Sequence, residues 1–326
     1  MRKILLIIIS SLLIILVVLG LIFTILFKST VNAKNGSLEP TLIKIEENQN
    51  LKSLAEQLKA QNLIKDERIF YWHGKSNIKK IKPGYYEIAA GSSINDIVGL
   101  LAQGKIKLVK VTIPEGWRVE QIGQRLDELK IVKYEDFVAS AKPYEGSLFP
   151  NTHYFNPVMS AKEIINIMLE DYQGKISASN LEVSKEDLVI ASIVEREAAG
   201  DFDRSIIAGI YKNRLKIGMR LESDPTVRYG KDENAIVNLD VTEIKNYKFW
   251  APVKTSDLKS VISNFNTYLT DGLPPTPICN PGIKSIEATV HPEASDYLFF
   301  FHKDGQIYPS KTGEEHKAKT LKILGY

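Results

Sequence analysis

The sequence has few of the residues on which metal, disulfide and nucleotide chemistry depend. It contains one cysteine, Cys279, and five histidines in 326 residues. One cysteine cannot form an internal disulfide, and in a turn-like string with no histidine nearby we expect a buried structural residue. The histidines lack zinc-site spacing, and neither a glycine-rich phosphate loop nor a Gly-x-Ser-x-Gly elbow is present. We therefore expect no metal, no cofactor and no serine-hydrolase chemistry.

The charge balance names no partner. Forty-two basic and 39 acidic residues leave a formal net charge of +3. That small excess, without a basic cluster interleaved with aromatic residues, does not indicate a nucleic-acid-binding protein. The length and the 44% share of hydrophobic residues are those of a globular chain with two or three domains.

One long apolar run lies at the N-terminus. Residues 4–27 are apolar or small except for Ser10, Ser11 and Thr24, and a helix of this length crosses the ~30 Å hydrocarbon layer of a membrane. The run is too long for the core of a secretory signal, and a poor cleavage site follows it. We therefore predict one uncleaved transmembrane helix. Basic residues flank both ends, so the positive-inside count barely decides the orientation. A short cytoplasmic end at residues 1–3, with the bulk of the chain outside the cell (inner) membrane, is nevertheless the natural orientation.

A strand, a turn and a helix recur three times after a polar linker at residues 28–40. Each unit has a short alternating run, a turn and a helix whose apolar residues are three and four apart. The matching apolar positions are Ile45, Leu54 and Leu58, then Ile88, Ile97 and Leu101, then Ile113, Ile122 and Leu126. The turns fall at 47–48, 90–91 and 115–116. We expect a repeat region at residues 41–141 and an α+β domain at residues 142–326.

A buried helix in that domain carries the strongest candidate for acid–base chemistry. Ser184 followed by Asp187 predicts a helix start, and residues 188–194 are apolar or small on every side. Glu195 and Glu197 follow. Burial disfavours the charged form of a carboxylate and so prepares it to act as a general acid. The first solvated turn of a buried helix would give the same pattern, and helical spacing does not choose between the two glutamates.

Five longer strings resemble a known family. They are ASIVEREA at 191–198, IAGIYKNRL at 207–215, IGMRLESDPTV at 217–227, NTY at 266–268 and GLPPTPICNPG at 272–282. In this order they resemble the endolytic murein transglycosylase, or YceG-like, family far more specifically than one short motif would. In that family the first acid of the Ser-Ile-Val-Glu string is catalytic, and it corresponds to Glu195.

The resemblance implies a membrane-anchored lyase that cuts peptidoglycan strands internally and ends their elongation. Glu195 would protonate the β-1,4 bond between N-acetylmuramic acid and N-acetylglucosamine. It would then take a proton from the muramic acid's 6-hydroxyl as a 1,6-anhydro ring forms. The repeats would be LysM-like modules, and peptidoglycan synthases would be partners. Trp72 and Trp117 are either platforms for sugar stacking or core residues.

Further residues of these strings are candidates for substrate contact or for support of Glu195. They are Asn213, Arg214, Asp224, Thr226 and Tyr268. Asp224 is also a candidate for a helix cap or a structural hydrogen bond, in a turn that Pro225 predicts. The prolines of residues 273–282 predict a rigid loop along a cleft.

Two other functions fit the same residues. A hydrolase would need a second acid, for which Glu197, Glu222 and Asp224 are candidates, and a non-catalytic scaffold would use only the repeats to bind wall glycan. The sequence also departs from the family pattern outside the Glu195 region. The departures are His153, Phe265, Ile307, Pro309, Gly313 and Lys317. They concern secondary substrate contacts.

Overall fold

The structure is a computed structural model that describes residues 2–46, 48–157 and 159–325. Met1, in the predicted cytoplasmic end, and Glu47, in the first predicted turn, lie outside the described residues. The chain forms two compact units, one up to Leu108 and one from Val109 onward.

Helix α1, Arg2–Asn32, contains the predicted apolar run. Its segment Ile8–Asn32 has a mean hydropathy of 3.0 and is long enough to cross a membrane. The large apolar side chains from Ile8 to Leu26 are exposed, whereas Val31 in the last turn is buried. The helix therefore fits a single-pass anchor whose last turn is already part of the first unit.

The rest of the first unit contains the first two repeats. Strands β1 (Thr41–Ile45) and β2 (Gly84–Ile88) pair antiparallel, and helices α2 (Leu51–Ala60), α3 (Glu67–Asn77) and α4 (Ile94–Gln103) pack on them. Side chains of Asn50, Asp66 and Ser93 cap the three helices, which explains where each begins. The repeated positions of both repeats are buried in one core.

The second unit begins with the third repeat. Strand β3 (Val109–Thr112) pairs antiparallel with β4 (Thr152–Phe155), and helices α5 (Val119–Glu128), α6 (Tyr134–Ala141) and α7 (Ala161–Ala178) surround this pair. The repeated positions Ile113, Ile122 and Leu126 are again buried, here together with Phe155 from β4. The strand of the third repeat is thus completed by a strand much later in the chain.

The remaining elements form the part of the second unit that contains the candidate acid. They are α8 (Lys185–Glu197), α9 (Arg204–Lys216), α10 (Asp224–Ile236), α11 (Val241–Lys245), α12 (Asp257–Ser260), α13 (Ile283–Val290), β5 (Phe299–Lys303), β6 (Gln306–Ser310) and α14 (Gly313–Leu324). Helix α8 begins at the predicted cap, where Ser184 and Asp187 bond reciprocally. Its residues from Val189 to Val194 are buried, and α8 packs against α9 and α13. The predicted buried helix is confirmed.

One local prediction is wrong. Residues 224–226 form the first turn of α10 and not an isolated turn, with Pro225 at the start of the helix. Proline is tolerated there because its missing N–H would have had no partner within the helix, and its fixed φ already suits a helix.

Candidate active site

The candidate acid Glu195 lies in the last turn of α8, and its side chain is 7% exposed. Its Oε2 atom accepts three hydrogen bonds, from the Gly282 backbone N–H at 3.0 Å, the Ser285 hydroxyl at 2.8 Å and the Arg204 guanidinium at 3.3 Å. None of the residues that the structure describes donates to Oε1, and that atom is not enclosed. The carboxylate is therefore fixed through one oxygen and presents the other to solvent.

The segment that supplies Gly282 is attached to α8 one turn before Glu195. The fully buried Ser192 accepts from the N–H of Ile278 at 3.0 Å through its hydroxyl, and its carbonyl accepts from the thiol of Cys279 at 3.2 Å. Burial raises the pKa of the Cys279 thiol well above its usual range, so this cysteine is the buried structural residue that was predicted. The proline-rich loop of residues 273–282 thus packs along α8 and leads into α13.

Helix α13 begins at the candidate acid. Gly282 is its N-cap, and Ser285 lies in its first turn. The first N–H groups of a helix have no partners within it and carry a partial positive charge. The start of α13 is therefore a favourable place to hold the carboxylate of Glu195.

Besides the end of α8 and the start of α13, the turn between β3 and α5 also lies at the site. The N–H of Gly116 donates to the carbonyl of Asn280 at 2.9 Å, and the N–H of Asn280 donates to the carbonyl of Trp117 at 2.8 Å. Gly116 has a φ of +75°, and a Cβ atom there would lie 3.1 Å from Arg196 and 3.6 Å from Cγ of Glu195. The turn of the third repeat therefore rests directly on the end of α8.

Asn280 also ties the loop to the start of the second unit. Its side-chain oxygen accepts from the N–H groups of Gly146 and Leu148, both at 2.9 Å. Its side-chain nitrogen donates to the Trp117 carbonyl and to the Glu145 carboxylate, both at 3.0 Å. Four contacts from one buried amide thus fix the position of the loop.

Two arginines flank Glu195 in different ways. Arg204 bridges Glu195 and Ser285, whose hydroxyl lies 2.5 Å from its Nη1. Arg196 stacks on the ring of Trp250 at 4.3 Å and has no carboxylate partner among the described residues. Burial lowers the pKa of Arg196. The site therefore holds one cation paired with a carboxylate and one, Arg196, that has no carboxylate partner among the described residues.

The solvated-turn interpretation of the two glutamates does not hold, because the side chain of Glu195 is only 7% exposed and Glu197 is half-buried and hydrogen-bonded. Oε1 of Glu197 accepts from the Tyr211 hydroxyl at 2.9 Å and the Ser223 hydroxyl at 2.7 Å. Burial raises the pKa of Glu197. Its contacts join α8 to α9 and to the start of α10, which is a structural arrangement.

The other candidate residues make hydrogen bonds to backbone carbonyls or to neighbouring side chains rather than to Glu195. Asn213 donates to the carbonyls of Ser295 and Tyr297, and Arg214 donates to those of Leu298 and Leu221. Neither contacts Glu195, and their substrate contact stays a prediction.

The remaining candidates lie around the start of α10. The Thr226 hydroxyl bonds to that of Thr267 at 2.8 Å, and the Tyr268 hydroxyl donates to Asp224 at 2.9 Å. Glu222 is 44% exposed and lies 3.8 Å from Arg214. Asp224 thus makes a structural hydrogen bond, which is one of the roles expected for it.

Sequence reasoning did not identify several residues of the site. They are Gly116, Arg196, Arg204, Asn280, Gly282 and Ser285. Asn280 and Gly282 lie in the string at 272–282 that resembles the family, and this string is the sequence signal that marks them as site residues. No pattern in the sequence marks Ser285. Among the described residues, no group of three histidine, cysteine or acidic residues could hold a metal ion.

Comparisons with known proteins agree with the resemblance. The chain matches the YceG-like family over residues 43–322. It is 31% identical to the endolytic murein transglycosylase of Bacillus subtilis, over 85% of this chain and 83% of the relative. It is 27% identical to the endolytic murein transglycosylase of Streptococcus pneumoniae D39, over 84% of this chain, and spans just over half (56%) of that relative.

A solved structure of a YceG-like protein is also similar to this chain. The crystal structure of the YceG-like protein lmo1499 from Listeria monocytogenes superposes with a TM-score of 0.51 at 31% identity, covering 86% of this chain and 99% of that one. The sequence match, the two relatives and this structure concern nearly the whole of both units. The chain belongs to the YceG-like family.

Proposed function

We propose that this protein is a membrane-anchored endolytic murein transglycosylase with Glu195 as its catalytic acid. One observation carries the proposal: a largely buried carboxylate is fixed through Oε2 by three donors while Oε1 stays open. The names of the relatives in Bacillus and Streptococcus support the reaction class.

The open oxygen is suited to both proton transfers of the lytic reaction. Oε1 of Glu195 gives its proton to the glycosidic oxygen, and the bond to the muramic acid's C1 breaks with its electron pair on that oxygen. The 6-hydroxyl oxygen then bonds to C1 and returns its proton to Oε1. No water is consumed, so a single acid completes the cycle.

Two cavities of the second unit are lined by neighbours of this site, though not by Glu195 itself, and they support binding within a strand. One of about 480 Å³ is lined by Arg204, Asp201 and Lys284, and one of about 680 Å³ is lined by Pro114, Trp117 and Gln121. Volumes of a few hundred cubic ångströms suit small-molecule segments such as a few sugar units. An enzyme that cuts inside a strand needs sugar sites on both sides of the bond.

The alternatives have less support. The hydrolase candidates Glu197 and Asp224 are engaged in structural hydrogen bonds, and a scaffold without catalysis gives no reason for an acid held with one open oxygen. The LysM-like nature of the repeats, their binding of glycan and an association with peptidoglycan synthases stay predictions. Binding of wall glycan by Trp72→Ala and Trp117→Ala variants tests the first two, and co-purification from membranes tests the third.

The membrane topology also belongs to this proposal. Helix α1 would cross the cell membrane once, with a short cytoplasmic end and both units outside, and residues 28–40 would lead into the repeats. Labelling of introduced surface cysteines by an impermeant reagent in intact cells tests it. The topology is wrong if those cysteines are labelled only after lysis.

Product analysis of the wild type and of Glu195→Gln tests the function. Gln keeps the shape and the acceptor oxygen but carries no transferable proton, so formation of 1,6-anhydro ends should fall on the order of a hundredfold or more. Glu186→Gln, an exposed position on the same helix, is the matched control and should retain activity. Unchanged activity of Glu195→Gln, or reducing ends from the wild type, would contradict the proposal.

A further inference from the structure

Two arginines near the candidate acid have no anion to pair with. Arg196 follows Glu195 in the last turn of α8, and Arg228 lies in α10, which packs against α8. Both side chains are half-buried, and the Nε atom of each is fully buried without a hydrogen-bond partner among the described residues. A fully exposed arginine keeps its hydration and needs no partner, but a half-buried one loses hydration that no protein group replaces here.

The comparable arginines of the chain are paired. In the part of the chain that the structure describes, the other buried or half-buried arginines each form an ion pair with a carboxylate. They are Arg118, Arg125, Arg204 and Arg214. The two exceptions are also neighbours, since burial lowers the pKa of Arg196 and the positive charge of Arg228 lowers it further. Like charges in a partly buried place repel each other, and an anion between them would relieve that repulsion.

Arg196 is positioned through the face of its guanidinium. That face lies over the ring of Trp250 at 4.3 Å, and stacking of this kind leaves the N–H edge free for a carboxylate. Trp250 is itself fixed, because its backbone N–H donates to Asp232 at 2.9 Å and its indole N–H donates to Gln121 at 2.8 Å. Its φ of +68° is unusual for a bulky residue, and strain of this kind persists where the surroundings enforce it, as at ligand sites.

The free edge of Arg196 lies next to the candidate acid. A Cβ atom built on Gly116 would lie 3.1 Å from Nη1 of Arg196 and 3.6 Å from Cγ of Glu195, so both side chains pass the same point of the turn between β3 and α5. In contrast to Nε, the terminal nitrogens of Arg196 and Arg228 are not enclosed. A sugar whose glycosidic oxygen reaches Glu195 therefore has its other substituents near these nitrogens.

The chemistry of the proposed substrate supplies a matching anion. Muramic acid carries a lactyl group on C3 of the ring whose C1 bond is broken. This group ends in a carboxylate, or it continues into a peptide that has carboxylates of its own. N-acetylglucosamine is neutral. Arginine pairs with carboxylates through two parallel N–H donors, so the two arginines suit muramic acid and not its neighbour in the strand.

We propose that Arg196 and Arg228 form a subsite for a carboxylate carried by the muramic acid residue, either that of its lactyl group or one of the attached peptide. The inference rests on the proposed function and deepens it, because it says which sugar lies beside Glu195. The two arginines exchange no proton with the substrate. They select which β-1,4 bond of the alternating strand reaches the acid, since only every second bond has muramic acid on its C1 side.

Binding to strands with and without carboxylates tests the subsite. The probes are peptide-bearing strands and strands freed of peptide by an amidase, each before and after carbodiimide-coupled amidation of its carboxylates. Affinity is measured in the Glu195→Gln background, so that no strand is cut. At least one kind of strand should bind about 10- to 100-fold more tightly before amidation than after it. A preference confined to peptide-free strands assigns the lactyl carboxylate, and one confined to peptide-bearing strands assigns the peptide.

Substitutions then assign this preference to the two arginines. Arg196→Gln and Arg228→Gln should each remove most of it by weakening the binding of the charged strand, while the amidated strand binds as before. Lys185→Gln, at the exposed start of α8, removes an equal charge away from the site and should keep the full preference. Equal affinity for the charged and amidated forms of both strands, or a preference that survives in both arginine variants, would overturn the inference.

Thermal melting separates a ligand site from a structural one. Removal of one of two repelling charges should leave Arg228→Gln melting at or above the wild-type temperature. A lower melting temperature together with an unchanged preference would mean that Arg228 is structural, and the subsite would be wrong. Because binding is measured without turnover, absence of anhydro ends from the wild type would overturn the proposed function and leave the carboxylate preference to be judged by itself.

Discussion

At the scale of single residues, two glutamates that are two positions apart have opposite surroundings. Two residues along a helix turn the side-chain direction by about 200°, so Glu195 and Glu197 leave α8 on opposite sides. Glu195 meets the start of α13, and Glu197 is enclosed between α9 and α10. The site therefore uses one of the two acids for chemistry and the other for its framework.

We predict that Glu197→Gln makes the stability of the protein less dependent on pH. Burial raises the pKa of Glu197 in the folded protein, so the folded state holds this proton to higher pH than the unfolded state does. Its contribution to stability is full below the unfolded pKa and is lost as pH rises through the folded one. Relative to the wild type, the variant should thus gain in melting temperature between acidic and neutral pH.

The matched control is Glu186→Gln at the exposed start of the same helix, whose melting temperature should follow the wild type at each pH. An unchanged difference between Glu197→Gln and the wild type from pH 4.5 upward (about the ordinary value of a glutamate) would contradict the prediction.

The sequence predicts the acid and not its surroundings. Glu195 follows a capped apolar helix, and a local pattern is enough to find it. Gly282 and Ser285 come about ninety positions later, and Gly116 about eighty positions earlier, in segments whose local patterns concern other elements. Whether these residues contact Glu195 depends on how α8 packs against α13, and the hydrophobic periodicity of the sequence does not encode that packing.

At the scale of elements, a buried cluster of charges joins the third repeat to α10. Arg118, at the start of α5, is fully buried, bonds to Glu120 at 2.6 Å and pairs with Glu233. Its guanidinium lies over the ring of Tyr229 at 4.0 Å and over the ring of Phe249 at 4.8 Å. The start of α5 is therefore fastened through Arg118 to α10.

We predict that Arg118→Met lowers the free energy of unfolding of the second unit by about 3–5 kcal/mol, because removal of one partner leaves buried carboxylates uncompensated. Urea denaturation of the purified protein measures this.

The control is Arg220→Met, which removes an exposed pair with Asp271 and should cost about 1 kcal/mol or less. Equal losses for the two variants would show that the buried cluster contributes no more than a surface pair.

Capping and periodicity predict most elements but not their pairing. Helix α8 is found because a cap signal and an apolar run agree, and α10 is missed because Pro225 indicates a turn as readily as a helix start. Three equal repeats suggest one continuous region, yet β1 pairs with β2 while β3 pairs with β4. The sequence does not reveal which strands pair, because the repeats have the same local pattern and the partner of each strand depends on the whole fold.

At the scale of the whole molecule, α1 is both the proposed membrane anchor and part of a folded unit. Its exposed apolar side chains end near Leu26, whereas Val31 is buried with the first unit. The two roles therefore meet within a few residues.

We predict that a chain without residues 1–27 is soluble without detergent and melts like the full protein. A chain that also lacks residues 28–33 should lose about 2 kcal/mol of unfolding free energy in the first unit, since it no longer buries Val31. Sedimentation and thermal denaturation measure both. A detergent requirement in the shorter deletion, or identical melting of the two, would contradict this.

The junction after α1 has a mechanical consequence. The N–H of Asn35 bonds to the carbonyl of Ser92 at 3.0 Å, the N–H of Gly91 bonds to that of Ser37 at 3.1 Å, and Lys34 bridges to Ser93. With α1 in the membrane as proposed, a helix that runs directly into hydrogen-bonded chain would set the height of the first unit above the bilayer. Four residues added after Phe27 would lengthen α1 and raise the first unit by about 6 Å relative to the lipid surface.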